Sequence, residues 1–376
     1  MDFSVSDEQL MLADSVARFI DNDYDFETRQ EIAGSDLGFS PENWRTYAEL
    51  GWTAVPFEES DGGLGGGPIE LMLIMEQFGR GLVVEPYLAT IVMAGGVLKR
   101  DASAEQKAGW LSNVIGGKHQ AALAFSEPQG RFDISDIATQ AKANGDKYLL
   151  SGRKNVVLNG GNADLLIIPA RTSGSQKDQR GITLFAVAAD SPGISRKCYT
   201  TVDAHQAADI SLENVEAGAG SILGEVGGGF ATLQSVIDDA TLAVCAEAIG
   251  IIRAMHDKTV EYSRNRVQFG VPIGTFQALQ HRMVDTLVAC EQTYSLLLWT
   301  AMVNAAGDPE ARQAISALKY QVGTSGQRVG QEAVQIHGGM GVSWELDIGH
   351  YFKRLTAIGL LFGNADFHLK RYVELS

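Results

Sequence analysis

Two stretches of the chain carry side chains whose types and spacing suit ligand chemistry. The first is Arg264-Asn-Arg266-Val-Gln268-Phe269-Gly270-Val-Pro272-Ile273-Gly274-Thr-Phe276-Gln277. It gathers a guanidinium, an aromatic ring and an amide about a tight Gly/Pro turn between two helices, and Arg is the side chain suited to bidentate phosphate contact. The second is Gln335-Ile-His337-Gly338-Gly339-Met-Gly341. A Gln stands one turn ahead of paired glycines there, so a flat or charged ligand can approach the backbone closely. Taken singly, each stretch is equally compatible with a helix-turn packing motif. The glycine run Gly62–Gly67 lacks the Lys-Ser/Thr ending of a phosphate loop and the strand that precedes a dinucleotide fingerprint, so it reads as a flexible loop. Gly227-Gly228-Gly229 reads as a linker. The seven histidines supply no ligand pair on one helical face, Cys198, Cys245 and Cys290 lack zinc spacing, and no Gly-x-Ser-x-Gly elbow is present.

The elements that must position these stretches are legible in the pattern. The 376 residues suggest two or three domains, and the 45 % hydrophobic and 20 % charged content is that of an ordinary globular protein. A net charge of −16 argues against a nucleic-acid binder with a broad basic face. Three dispersed cysteines point to a reducing cytoplasm rather than a disulfide framework. The acidic start Met1-Asp-Phe-Ser-Val-Ser lacks a secretion signal, and no apolar run reaches the ~18 residues of a membrane span.

Residues 1–116 read as a helical domain. Ser6-Asp7-Glu8-Gln9 is a capping box. Ser40-Pro41 and Pro68 place proline at first helical positions, and Ser103 opens a further helix. Residues 117–225 read as a β-barrel or sandwich, with a hairpin signal at Asn144-Gly145-Asp146 and buried strands at Leu165–Pro169 and Ile182–Val187. Residues 226–376 return to helices, over about 230–264, 277–305, 309–339 and 350–373, the expectation for a C-terminal four-helix bundle.

Together these stretches resemble the acyl-CoA dehydrogenase family of flavoproteins over essentially the whole chain. Phe3-Ser-Val-Ser-Asp-Glu-Gln9, Glu49-Leu-Gly51-Trp52, Gly62-Gly-Leu-Gly65 and Ser126-Glu127-Pro128 fall where the family has similar signatures. Ser151–Lys154 with Asn159–Asp164 is similar to the flavin-side strand and loop. Arg266-Val-Gln-Phe269-Gly270 and Gln335-x-x-Gly338-Gly339-x-Gly341 are the most specific matches. In kind the chain is most similar to the small subunit of pimeloyl-CoA dehydrogenase, whose partner is a different dehydrogenase chain.

The resemblance implies an α+β fold of helical, β and helical domains, FAD as cofactor, and α,β-desaturation of an acyl-CoA thioester. In that chemistry a carboxylate takes the α-proton and a hydride leaves the β-carbon for the flavin, while the thioester oxygen is stabilised by hydrogen bonds. Electrons then pass to an electron-transfer flavoprotein. Arg266, Phe269, Gln277, Gln335 and Gly339 match residues that touch FAD across a subunit interface, and Ser126 matches a hydroxyl residue near the flavin of its own chain.

The catalytic carboxylate does not carry over. Counting 27 residues on from Gln335 gives Phe362-Gly363-Asn364 where most members have Glu-Gly-Thr, and 26 residues back from Arg266 gives Ala240 where a minority have Glu. Loss of a general base costs typically about 10²–10⁴ in rate. The flavin-side aromatic and Thr are Val156 and Leu158 here, and Arg131-Phe132 replaces a Ser-bearing turn whose new aromatic ring would obstruct the chain's own site. Glu247, two turns and roughly 10.5 Å along the helix from Ala240, is the one substitute carboxylate, although a helix-face carboxylate is usually structural.

Three expectations follow. The first is the base-lacking subunit of an α2β2 acyl-CoA dehydrogenase, cytoplasmic and with no nucleic-acid or membrane partner. The second is a homomeric dehydrogenase with a relocated base, and the third a flavin-free structural subunit.

Overall fold

The computed structural model describes residues 5–376. Met1–Ser4, including the Phe3 and Ser4 of the opening resemblance, lie outside the described residues.

In chain order, helices α1 (Asp7–Asp23), α2 (Phe26–Ala33), α3 (Pro41–Glu49) and α4 (Pro68–Gly81) come first. A stretch of π-type turns, Leu88–Ala94, runs straight into α5 (Gly95–Asp101). A second, Lys107–Leu111, joins α6 (Ala104–Gln106) to α7 (Ser112–Ile115). Strands β1 (Ala121–Leu123), β2 (Gln140–Asn144), β3 (Lys147–Leu158), β4 (Leu165–Arg171), β5 (Ile182–Ala188), β6 (Ile194–Thr200), β7 (Gln206–Gly218) and β8 (Ile222–Leu223) follow. The rest is α8 (Phe230–Asn265), the two short strands β9 (Val267–Gln268) and β10 (Val271–Pro272), then α9 (Gln277–Ala305), α10 (Ala311–His337), α11 (Asp347–Ile358) and α12 (Ala365–Glu374).

The helix starts obey their local chemistry. Ser6 Oγ accepts from Gln9 N at 3.2 Å while Gln9 Oε1 accepts from Ser6 N at 2.9 Å, satisfying two end amides of α1. Ser103 and Gln106 repeat the device at α6. The Gly62–Gly66 run is not the flexible loop expected. Gly63 N, Leu64 N, Gly65 N and Gly66 N each donate to a carbonyl between Ala54 and Glu58, and a Cβ on Gly63 would lie 2.1 Å from Phe57 O.

The chain forms two compact units. One comprises Ile32–Gly66 and Val84–Ala240. Its centre is a single sheet in the order β6-β7-β3-β2-β4-β5-β8, with β1 parallel beside β4. β4 is buried along its whole length, as a strand covered on both faces should be. Leu150, Leu166, Ile168, Phe185, Val187, Ile210 and Leu212 form the core of the sheet. The two-residue Gly145-Asp146 turn closes the β2–β3 hairpin, Gly145 at φ +65°.

The other unit comprises residues up to Glu31, Gly67–Val83 and Thr241–Ser376. In it α10 packs against α9, α11 and α12, and α1 packs against α4. Helices α4 and α8 cross at paired glycines: a Cβ on Gly79 would lie 1.9 Å from Glu247 O, and one on Gly250 would lie 1.9 Å from Glu76 O. The helix expected over 350–373 is two helices. Phe362 and Gly363 turn to φ +58° and +119°, and Lys319 Nζ donates to Ile358 O and Gly363 O, both at 2.8 Å, holding the break open. Among the described residues, no helix is long and apolar enough to cross a membrane.

Candidate active site

The arginine-bearing stretch forms the tip of the α8–α9 connection. β9 and β10 pair as a two-residue hairpin, Val271 opposite Gln268 and Pro272 opposite Val267. Its turn residues Phe269 and Gly270 have φ +56° and +81°, the double positive φ that a type I′ turn requires and that Asn-Gly usually supplies. A phenylalanine there bears backbone strain, and its ring is 94 % exposed. Neither cost is repaid inside the described chain, where the ring meets only the edge of Phe276, 6.2 Å away. The Arg266 and Gln277 side chains beside it are exposed and hydrogen-bond to nothing within the described residues.

The second stretch ends α10 in the same unit. Tyr262 of α8 stacks on His337 of α10, ring centroids 4.3 Å apart, and so ties the turn before Arg266 to the turn before Gly338. His337 Nδ1 faces Ala333 O at 2.8 Å and must donate to it, and burial holds the imidazole below its ordinary pKa, hence neutral. This histidine positions backbone. Beyond it Gly338 has φ +61°, and a Cβ at Gly338 or Gly339 would meet nothing within 4 Å, so the backbone forms an open shelf. Gln335 is exposed on the last turn of α10. A cleft of about 370 Å³ lies on the adjacent faces of these helices, lined by Lys258, Tyr262, Asn265, His337 and Asp347 among others.

The flavin-side strand lies in the sheet unit. Lys154, buried on β3, donates to Glu127 Oε1 and Pro169 O, both at 2.7 Å. Glu127 also accepts from Ala138 N at 2.8 Å and Thr139 N at 3.1 Å, which folds the 126–139 loop onto the sheet. Burial raises the Glu127 carboxyl, but the Lys154 charge and these hydrogen bonds outweigh it and leave its pKa at about 2. The glutamate after Ser126 is therefore a structural anion. Ser126 Oγ lies 3.1 Å from Asn155 Oδ1 and donates to it. Val156 is turned outward at φ +50° and is 43 % exposed. Arg131 also has positive φ, +47°, and Phe132 is half-buried.

Neither base position holds a titratable group. Ala240 is fully buried on α8. Phe362 is half-buried in the turn after α11, its carbonyl accepting from His368 Nε2 at 3.0 Å. Burial and the nearby Lys319 charge hold His368 down to about 3, so it is neutral. Asn364, in the third position of the triplet, caps α12 by accepting from Phe367 N at 2.9 Å. Glu247 is engaged elsewhere. Its two carboxylate oxygens receive Arg354 Nε at 2.5 Å and Nη2 at 2.7 Å, in a pair whose side chains are 5 % and 4 % exposed. A carboxylate held bidentate at both oxygens is poorly placed to take a substrate proton.

Residues 6–118, 122–215 and 227–374 match, in order, the N-terminal, middle and C-terminal domains of acyl-CoA dehydrogenases. The chain belongs to the acyl-CoA dehydrogenase family. Butyryl-CoA dehydrogenase from Megasphaera elsdenii superposes with a TM-score of 0.92 at 27 % identity, covering 100 % of this chain and 99 % of the other. A chain of the ChsE4–ChsE5 complex from Mycobacterium tuberculosis superposes with a TM-score of 0.90 at 27 % identity, covering 100 % and 98 %. The caffeyl-CoA reductase–Etf complex subunit CarC of Acetobacterium woodii is 29 % identical over 373 residues, 96 % of each chain. Acyl-CoA dehydrogenases are FAD-dependent oxidoreductases. The helical unit fits such a group: Arg266, Gln277 and Gln335 have uncommitted donors beside an unhindered glycine shelf and an outward aromatic ring. The sheet unit fits it poorly, since Ser126 is committed to Asn155 and Val156 offers no flat face. Sequence reasoning missed Arg354, Tyr199, Asp209 and the Lys319–His368 pair. Arg354, Asp209 and Lys319 take their roles from Glu247, Val156 and Ile358, 107, 53 and 39 residues away, and Tyr199 takes its role from Asp209, 10 residues on.

Proposed function

We propose that this chain is the base-lacking subunit of a heteromeric FAD-dependent acyl-CoA dehydrogenase that desaturates an acyl-CoA thioester at the α,β-bond. A second acyl-CoA dehydrogenase chain completes an α2β2 assembly and supplies the base and most contacts to the flavin ring. The observation that carries the reading is a selective loss. Phe362 and Ala240 stand at both base positions, while Arg266, Phe269, Gln277, Gln335 and Gly339 keep the composition and exposure needed to reach a neighbour's cofactor.

In this reading the Arg266 guanidinium and the Gln277 and Gln335 amides hold the partner's FAD, Phe269 covers it from water, and Gly338-Gly339 admits it to main-chain distance. Bound FAD supplies the hydride acceptor. Ser126 supplies a hydroxyl on this chain's own flavin side. The similarity to a chain of the ChsE4–ChsE5 complex supports a two-chain assembly. The relative named for an Etf complex supports an electron-transfer flavoprotein as the electron acceptor. The likeness to the small subunit of pimeloyl-CoA dehydrogenase, the division into domains 1–116, 117–225 and 226–376, and a cytoplasmic location belong to the same proposal.

The test is the visible spectrum of this chain purified alone and co-expressed with a candidate partner dehydrogenase. The reading expects a colourless lone chain and a yellow pair that bleaches with an acyl-CoA. A lone chain that is yellow and bleaches would establish a homomeric enzyme with its own base.

A further inference from the structure

The β3–β7 pairing is irregular at one place. Lys154 lies opposite Ile210 and Val157 opposite Ala208, so Asn155 and Val156 together face the single residue Asp209. This is a β-bulge, and it takes two amides out of the ladder. Asn155 N donates to Ser126 O at 3.0 Å. Val156 N donates to Asp209 Oδ1 at 3.1 Å, and the Tyr199 hydroxyl of β6 donates to the same oxygen at 3.0 Å. A β-branched residue at positive φ persists only where its surroundings hold it, and here the carboxylate does so. Asp209 is exposed, so its charge stands on the outer face of the sheet. Burial, and then Asp209, push the Tyr199 hydroxyl up to about 12, so it stays protonated as a donor at neutral pH.

Val156 occupies the position at which family members carry the aromatic residue of the flavin side. We propose that the Asp209 carboxylate denies a flavin ring this face of the chain's own sheet, so that FAD in the assembly rests on the partner's sheet alone. A ring laid on the bulge would strip water from a carboxylate, which costs more than desolvating a neutral polar group. It would also bring the negatively charged cofactor toward a like charge. The sequence showed only that an aromatic is missing here. The structure adds that a charge is held in its place. The inference rests on the reading above for where the flavin face lies, and its test is kept apart from assembly with a partner.

The test titrates the full chain with lumiflavin, which presents the ring without phosphates, and with FAD, following quenching of flavin fluorescence. Asp209→Asn keeps the size and an acceptor oxygen for Val156 N while removing the charge. Asp209→Ser removes the charge through a shorter side chain and guards against a folding defect in the first variant. Both are expected to bind lumiflavin at least tenfold more tightly than the unaltered chain, and Tyr199→Phe, which leaves the carboxylate in place, is expected to give no gain. Equal lumiflavin affinity in the unaltered chain and both Asp209 variants would overturn the inference. Tight binding already present in the unaltered chain would overturn it too. Neither result would touch the donation of Arg266 to a partner, which is read from the FAD content of the assembly.

Discussion

The Glu247–Arg354 pair makes the most exacting prediction, because it decides between a structural and a catalytic carboxylate. Both side chains are at least 95 % buried and joined by two short hydrogen bonds. Glu247→Gln would leave a guanidinium buried without its counter-charge. Removing one partner of such a pair costs about 3–5 kcal/mol, whereas replacing both by apolar residues of similar size is often neutral or stabilising. Glu247→Gln and Arg354→Met should therefore each lower the unfolding free energy by about 3–5 kcal/mol, and the Glu247→Met/Arg354→Met double variant by much less than their sum. Urea unfolding followed by tryptophan fluorescence provides the assay, with the cycle energy taken from the midpoints at constant slope. The double variant should retain dehydrogenase activity in the assembly, since no proton transfer passes through Glu247. A single-variant cost below about 1 kcal/mol, or loss of activity in a well-folded double variant, would refute the reasoning.

Two buried charges each make stability rise with pH, in different windows. Burial depresses Lys319 from its ordinary 10.5 to about 8. Between those values the unfolded chain binds a proton that the folded chain does not, so stability rises with pH there, by on the order of 3 kcal/mol. Lys319→Met should abolish that rise in unfolding experiments run from pH 7 to 10.5, and an unchanged slope would show that Lys319 is not the group responsible. Glu127, depressed from 4.5 to about 2, contributes stability that is complete above its unfolded pKa and is lost as pH falls through the folded one. Glu127→Gln should flatten the acid limb between pH 4.5 and 2. An acid limb identical to that of the unaltered chain would contradict the role given to the Lys154–Glu127 pair.

The sequence disclosed what depends on neighbours in the chain and concealed what depends on distant pairing. The Ser6–Gln9 box, the Pro41 and Pro68 starts and the Gly145-Asp146 hairpin are local, and each is where its residue chemistry puts it. Apolar spacing continues through Ile358, Leu361 and Phe362, so the pattern alone runs the C-terminal helix past its true end at Ile358. What breaks it is Lys319, some 40 residues away, drawing two carbonyls. The Leu88–Ala94 stretch is buried at every position, so its spacing could not distinguish π from α turns. The helix face of Glu247 does not disclose its role, which is set by Arg354, 107 residues distant. In the candidate site, the identities of Arg266, Phe269, Gln335 and Gly339 came from resemblance. The structure contributes what residue names cannot, namely the strained, outward Phe269 and the open shelf at Gly338.

The central claim is that this chain completes a cofactor site on another chain. The most direct measurement counts FAD released per heterodimer from the purified assembly, once with the unaltered chain and once with Arg266→Ala in this chain alone. Loss of a charge-assisted hydrogen bond costs about 1.5–3 kcal/mol, so FAD retention should weaken by about 10- to 100-fold. The account predicts one FAD per heterodimer and its loss on dilution of the Arg266→Ala assembly. Two FAD per heterodimer, or one that Arg266→Ala leaves equally tight, would contradict it.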